Sequence, residues 1–411
     1  MDPVVRPQNG LLLIALQTAE GTPATPNALT DAVPFVMGSF RKGSPYGSED
    51  VNEVTGSLVA SAPLIVGQEV QLGFQSMIKG AGNGVTYSSS VKPPLHAALS
   101  VCGKRGQFTA GVAATALAAG TVNTATLGAP YVATDQAYRG MPLLLTGGSG
   151  DGMVPFISDY SAARVAQLTA AAATALSTAT SAALPANWSY AGTSPRDLSS
   201  RLTDHPCATV YYYEDGNLYQ WTDVRGTVDL EGQTARAGMA TFSLSGTYQG
   251  STTATIPSNA VVALQSAPTL AKGAAGGASV ALANRKELAI SRWSLRNGGN
   301  LESVQDPNTP FGFGPGQIAG RAPVFEADPY RTLVSTRDAI AEIAALNVYN
   351  GSLRFGTQAG NRWGLTMPAL QPIGAEDDMR GNLRSDSMTW RALSPGRDAQ
   401  LRDSDAIITF Y

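Results

Sequence analysis

The sequence predicts a mainly β protein: two tandem β domains with short helices, plus a small all-β module inserted into the first. Three observations lead there. Gly (44) and Pro (25) are plentiful among abundant Ser, Thr and Ala, which is how a chain of many short strands joined by turns uses its residues. Apolar runs are short and bounded by turn signals, and few segments hold a helical period for long. The texture also changes near residues 105 and 200, which separates a middle region from two flanking ones.

With 411 residues, the chain can form two or three domains with proper cores. Apolar content is 43% and charged content 14%, which excludes a solvated disordered polyelectrolyte. The net charge is −3 with no basic patch, which argues against tight binding through phosphate neutralisation. Arg outnumbers Lys 22 to 6. That ratio favours fixed, bidentate contacts, although a GC-rich genome would produce it equally well. The opening "MDPVVRPQNG" lacks a basic leader region, and "LLLIAL" (Leu11 to Leu16) is too short to span a membrane. The Ala-rich run Ala163 to Leu184 is too rich in Thr and Ser to do so. A soluble protein made in the cytoplasm is expected. Two cysteines make no disulfide framework.

Residues 1–105 carry turn-rich strand patterns and end in "PPLHAALSVCG", read as a short helix. Residues 106–200 are read as the inserted module. Within them "MPLLLT", "MVPFIS" and "ARVAQLT" are strand candidates, and "GGSGDG" and "SDYSA" are turns. From residue 201 the aromatic strand pattern resumes. In "VYYYEDGNLYQW", Asp215-Gly216 is the preferred type I′ turn, because both central positions need φ > 0. Alternation puts Tyr211 and Tyr213 on one face, with Val210 and Tyr212 on the other, and separates Leu218 from Tyr219 and Trp221. Both faces of this hairpin are apolar, so cover on both sides is expected.

The outer regions have the order of a duplication. "VPFVMGSFRKGSPYGSEDVNEVTGSLVA" and "LAISRWSLRNGGNLESVQDPNTPFGFGPGQIAGRAPVFEA" each read strand, long Gly/acidic loop, strand. The aromatic hairpin and its follower match "LRFGTQAGNRWGLTMPALQPIG" and "DMRGNLRSDSMTWRAL". The expected domains are 1–105 with 201–270, the insert 106–200, and 271–411.

Catalytic equipment is sparse. His96 and His205 are the only histidines. "DHPC" (Asp204 to Cys207) invites a triad reading, but no nucleophile elbow supports it, and a solvated turn leading into the Ala208 strand is the plainer reading. The spacings of His96, Cys102, His205 and Cys207 fit no usual zinc module. The glycine clusters "GAGNG", "GGSGDG" and "GFGPGQ" open no helix and carry no Gly-Lys-Ser/Thr, so they are turns. The acidic clusters Glu49-Asp50 and Glu376-Asp377-Asp378 could in principle cut glycosidic bonds, but read better as solvated or interfacial loops. No cofactor or metal is expected.

"LLLIALQTAEGTPATP", "VNEVTGSLVASAPLIVGQEVQLGFQSMIKG", "PPLHAALSVCG" and above all "TVYYYEDGNLYQWTDVRGTVDLEGQTARAGMATFSLSGTYQG" resemble, in that order, stretches of siphophage major tail tube proteins. The resemblance covers about 1–105 and 201–411. "AYRGMPLLLTGGSGDGMVPFISDYSAARVAQLT" resembles a small β module of phage structural proteins. The resemblance implies β-sandwich or half-barrel domains whose edge strands pair between subunits, closing rings that stack into a hollow tube for DNA. It implies a non-enzymatic virion protein, assembled in the host cytoplasm, with itself, the tape measure, the tail terminator and distal tail proteins as partners. DNA would be a transient lumenal passenger, and no membrane is involved. Two tube domains per chain would make trimeric, pseudo-hexameric rings, whereas one would require hexamers. The inserted module would decorate the outside.

On that reading the loops Arg41–Glu53 and Asn297–Gly316 contact the next ring, with Arg41, Lys42, Tyr46, Glu49, Asp50, Asn297, Asn300, Phe311 and Phe313 as candidates. Tyr211, Tyr213, Tyr219 and Trp221 pack the sheet hairpin. Asp229, Glu231, Glu376, Asp377 and Asp378 are candidates to face the lumen, where acidic charge repels phosphate. The competing expectations are a tail terminator, baseplate ring or capsid decoration protein, and a β-sandwich glycan-binding or glycan-hydrolysing protein.

Overall fold

In the computed structural model, the described residues are 4–6, 8–51, 53–54, 56, 58–59, 61–260, 268–269, 282–284 and 286–411, with backbone alone for 282 and 283. The expected domain boundary at 270/271 lies outside them, as does residue 52 of the first long loop. The protein is mainly β, with three short α-helices among the described residues. The first half opens with β1 (Gly10–Leu16), β2 (Ala32–Val33) and β3 (Arg41–Lys42), then a hairpin of β4 (Tyr46–Glu49) and β5 (Leu64–Gly67), then β6 (Gln71–Met77). Helix α1 (His96–Val101) follows. It stops where Gly103, at φ 67°, takes the left-handed conformation that side chains disfavour. β7 (Lys104–Thr109) leads into the module, whose strands are β8 (Val112–Ala116), β9 (Ala119–Gly120), β10 (Thr124–Thr126), β11 (Leu144–Thr146), β12 (Ile157–Tyr160), β13 (Val165–Leu168) and β14 (Ser181–Leu184). β15 (Asn187–Gly192) returns beside β7.

Helix α2 (Leu198–Asp204) starts at Asp197, whose carboxylate accepts from the Ser200 amide in a capping box. Three long strands follow: β16 (Ala208–Glu214), β17 (Asn217–Gln233) and β18 (Met239–Thr253). The second half comprises β19 (Leu282–Ala283), β20 (Lys286–Glu287), β21 (Arg292–Arg296), a hairpin of β22 (Asn300–Gln305) and β23 (Phe313–Gly320), and β24 (Val324–Ala327). Helix α3 (Ala339–Ala344), β25 (Tyr349–Phe355), β26 (Trp363–Arg380), β27 (Leu383–Leu393) and β28 (Ile407–Phe410) complete it.

The pairing order repeats. In the first half, neighbours run β2–β1–β16–β17–β18–β6–β3. In the second they run β20–β19–β25–β26–β27–β24–β21. Every pair is antiparallel, and the chain visits the places in the same sequence in both halves. Each half also puts a hairpin arm between its third strand and the next, and a helix before its long meander. The two halves join where the end of β17 pairs with β21, from Leu230↔Leu295 to Gln233↔Arg292. β28 then pairs with both β26 and β15. One apolar core runs beneath both halves, from Phe74 and Phe242 through Trp293 to Trp390 and Phe410.

The module has its own core, from Leu117 to Leu184. β7 and β15 belong to the large sheet, so this separate core is narrower than residues 106–200. The module is also docked rather than loosely carried. Phe156 lies edge-on to Tyr411, the Thr169 hydroxyl is 3.0 Å from that of Ser352, and Arg139 donates to Ser404 and Gly396. Near the module's neck the core is charged. The Arg402 side chain is fully buried and donates to Asp398 at 2.7 Å and to the Ser189 carbonyl at 2.7 Å. Arg321 binds Asp403 and Asp405, and the buried Lys104 sits 3.9 Å from Asp405.

Two outcomes follow. Asp398→Ala strands the Arg402 guanidinium in the core, and urea melts should show a loss of roughly 3–5 kcal/mol. Thr109 and Asn187 are direct cross-strand partners, so a short turn can replace the module between them. The excised protein should still unfold cooperatively, with a Tm several degrees lower because the faces at Tyr411 and Ser352 become exposed. Loss of all cooperative unfolding would show instead that the sheet requires the module.

Candidate functional site: a polar sheet face with free edges

The aromatic hairpin has the expected turn and is covered on both sides. Asp215 and Gly216 have φ 46° and 95°, and Glu214 pairs with Asn217. Val210, Tyr212 and Trp221 face the main core, with Tyr219 packed against it. Tyr213 and Leu218 face a second, smaller cluster made with Leu11, Leu13, Ala28 and Ala32, and Tyr211 packs at its border. The second cover therefore comes from the segment around Ala28 and Ala32 and from Ala254, Ile256 and Ala260 after β18, while Leu11 and Leu13 of the neighbouring strand β1 extend the covered face. Sheet packing is what these tyrosines and the tryptophan do.

The other face of the extended sheet is polar. Register lines cross seven strands without a break: Met77↔Met239↔Glu231↔Ser294↔Glu326↔Thr389↔Gly374. The next line, Ser76↔Ala240↔Leu230↔Leu295↔Phe325↔Trp390↔Pro372, lies on the core side. Because a strand alternates its faces, Thr241, Ser243 and Gln75 line the polar side together with Asp229, Glu231, Arg292, Arg296, Glu376 and Asp378. These Ser, Thr, Gln and Arg residues are not among the sequence candidates, although the alternation Ala240-Thr241-Phe242-Ser243-Leu244 carries the signal.

Four of the five acidic lumen candidates share this face, and Asp377 does not. Asp377 points to the opposite side and binds Arg331, which also binds Asp386; that pairing holds its carboxyl below the usual range. On the polar face Arg296 lies 3.3 Å from Glu326, and Arg292 lies 3.6 Å from Asp378. Asp229 accepts from the Asn297 amide at 2.8 Å. Glu231 and Glu376 occupy matching places in the two halves, and neither makes an ion pair among the described residues.

The two long loops are hairpin arms, and they meet. Tyr46 lies edge-on to Phe311 at 5.4 Å between ring centres. Arg41, Glu49 and Asp50 are exposed, whereas Lys42 is 3.1 Å from Glu214 and lies over the Tyr219 ring. Asn297 is only 4% exposed and donates to Thr227 within the same chain, so it is not placed to touch another ring. Asn300 donates to Glu302, and Phe313 is half-buried opposite Gln305.

The histidines and cysteines are structural. His205 is buried, with Nε2 3.0 Å from the Thr193 carbonyl, and is not a solvated turn. His96 Nδ1 is 2.8 Å from the Tyr190 hydroxyl. Burial pushes both thiols up, Cys207 to about 11, away from nucleophilic thiolate. No three His, Cys, Asp or Glu side chains converge on a metal position among the described residues.

Burial, helped by the Lys92 charge, holds the His96 pKa down at about 3, and burial also lowers His205. An unfolded histidine titrates near 6.5, so below that pH the unfolded chain takes up protons that the folded one refuses. The stability tied to these residues is complete above roughly pH 6.5 and is lost as pH falls towards 3. Urea melts at pH 7.5 and 5.5 should differ by roughly 1–3 kcal/mol, and His96→Gln should shrink the difference. No known protein-family model matches this chain, and no curated protein is significantly similar to it.

Proposed function

We propose that this chain is a self-assembling structural protein of a phage virion: a major tail tube subunit that closes into rings, which stack into a hollow tube for DNA. The observation that carries the reading is the doubled seven-strand order, with one face on a shared core and the other polar across both halves. A sheet that ends in unpaired strands needs either a cover or a partner, and closing it into a barrel removes its edges. In such a barrel the core side faces outward and the polar face lines the channel. Two equivalent halves favour three chains per pseudo-sixfold ring over six.

The chemistry of the face suits a channel that DNA passes through without sticking. It offers small hydroxyls and amides, Glu326 and Asp378 engage Arg296 and Arg292, and Arg391 lies exposed on the same face. Glu231 and Glu376 add acidic charge that repels phosphates. The protein's role is mechanical rather than catalytic, with the tape measure inside the growing tube and a terminator and distal proteins at its ends.

Negative-stain electron microscopy of the concentrated protein tests the reading. Hollow rings or tubes are expected, with a ring mass of three chains. A monomer that never polymerises, even with other virion components present, would point instead to a decoration or glycan-binding role. For the channel face, Glu231→Lys with Glu376→Lys should still give tubes, but these should retain duplex DNA in low-salt co-sedimentation and release it as salt rises. Tubes of the unaltered protein should retain none.

A further inference from the structure

We infer that the interface between copies repeats the joint that links the two halves within one chain. The outer edge of β3 and the β4–β5 arm of one copy would dock on the outer edge of β26, beyond Leu370, in the next. The partner is a second copy of this chain, and the inference rests on the self-assembly reading above.

Within the chain, β21 pairs with β24 on one edge and with the end of β17 on the other. The β22–β23 arm then lies across β17 and β18, where Ser303 reaches Glu69 at 2.6 Å and Arg225 donates to the Gly316 carbonyl. The first half holds the same parts in the same order. β3 pairs with β6 on one edge, and among the described residues no strand pairs with the other. The end of β26 pairs with β27 from Ala369 to Arg380, while β25 stops at Leu370. So the edge of β26 beyond Leu370 has no strand partner among the described residues. One copy therefore offers the counterpart of β21, and the next offers the counterpart of the end of β17.

Exposed apolar side chains lie at the same two places, among others on the surface. Leu64 and Ile65 on the β4–β5 arm are 58% and 64% exposed. Beside the free edge of β26, Ile373 and Met379 are exposed, as is Ile340 on α3. The matching helix α1 has four of its six residues buried, whereas α3 has none. Isolated exposed apolar residues are ordinary, but clusters on an unpaired edge and on a projecting arm mark a docking surface.

The internal joint also fixes the register. Phe74↔Phe242↔Val228 matches Phe325↔Trp390↔Pro372. Carrying Leu230↔Leu295 and Glu231↔Ser294 across that match puts Phe40 opposite Ala375 and Ser39 opposite Glu376. Arg41 and Arg296, the next residues along, then fall opposite Gly374 and Asp229. Gly374 tolerates a side chain, since an added Cβ would meet only Thr389 at ordinary contact distance.

The test is a cysteine pair, since both native cysteines are buried. Arg41→Cys with Gly374→Cys in one chain should give, on mild oxidation, covalent species of two and then three chains on a denaturing gel. Glu231→Cys with Ser294→Cys spans the internal joint and should cross-link without increasing mass, which shows that the chemistry works. The same samples are imaged. Rings without interchain cross-links, while the internal pair closes, would overturn this seam and leave the tube reading intact. Cross-links without rings or tubes would keep the seam and overturn the tube. Neither rings nor interchain cross-links, with the internal pair closed, would overturn both. As a second check, Leu64→Asp with Ile65→Asp alters only exposed side chains. It should leave the melting curve in place and raise the concentration needed for assembly at least tenfold, and unchanged assembly would count against the arm.

Discussion

Four antiparallel pairs between β17 and β21 hold the structure in one register. The net gain per backbone hydrogen bond is modest, but these lie over Leu230, Trp293 and Leu295, all buried in the shared core. Gly232 is needed there, because a Cβ at that place would meet the Trp293 indole at 2.7 Å. Without the joint, the polar face would divide into two narrow sheets, and the β22–β23 arm would lose the platform on which it lies. Continuity of core, face and arm all follow from this contact between strands about sixty residues apart.

A second constraint is ionic. The elements around the module neck are tied by guanidinium groups rather than ammonium groups. Arg402, Arg321, Arg225 and Arg139 each reach both a carboxylate and a carbonyl or hydroxyl oxygen. A planar fork can satisfy several acceptors at once, which a single ammonium cannot do with the same geometry. Desolvation makes such pairs poor sources of net stability. Their effect is on specificity: Arg402, Asp403 and Asp405 have partners from β7, β15 and the loop before β24, so the C-terminal segment has one place to sit.

Local chemistry was legible in the sequence and distant pairing was not. The Asp215-Gly216 turn, the helix at "HAALSV" and the alternation around Tyr211 and Trp221 depend on near neighbours, and the chain spells them out. The repeated strand order is legible as an order of textures, because turn spacing can persist where residue identity does not. In the long loops, Gly and acidic residues conceal the short strands β4, β5, β22 and β23. A His-Pro turn gives no sign of the Thr193 carbonyl that covers His205. Strand alternation alone sends Asp377 to the face opposite Glu376 and Asp378. Nothing in "DAIITFY" indicates that β28 bridges β26 and β15.

The two halves share a topology but differ in their surfaces, and the proposed assembly accounts for how. A joint inside one chain forms without loss of translational freedom, because covalent connection holds its partners near each other. A joint between chains must offset that loss with additional buried apolar area. The β22–β23 arm accordingly sits on its platform through hydroxyl, carboxylate and guanidinium contacts from Ser303, Glu69 and Arg225. The β4–β5 arm presents Leu64 and Ile65 to solvent, and α3 presents Ile340. Equivalent places in a repeated fold thus carry polar contacts where the neighbour is already attached and apolar side chains where it has to be captured.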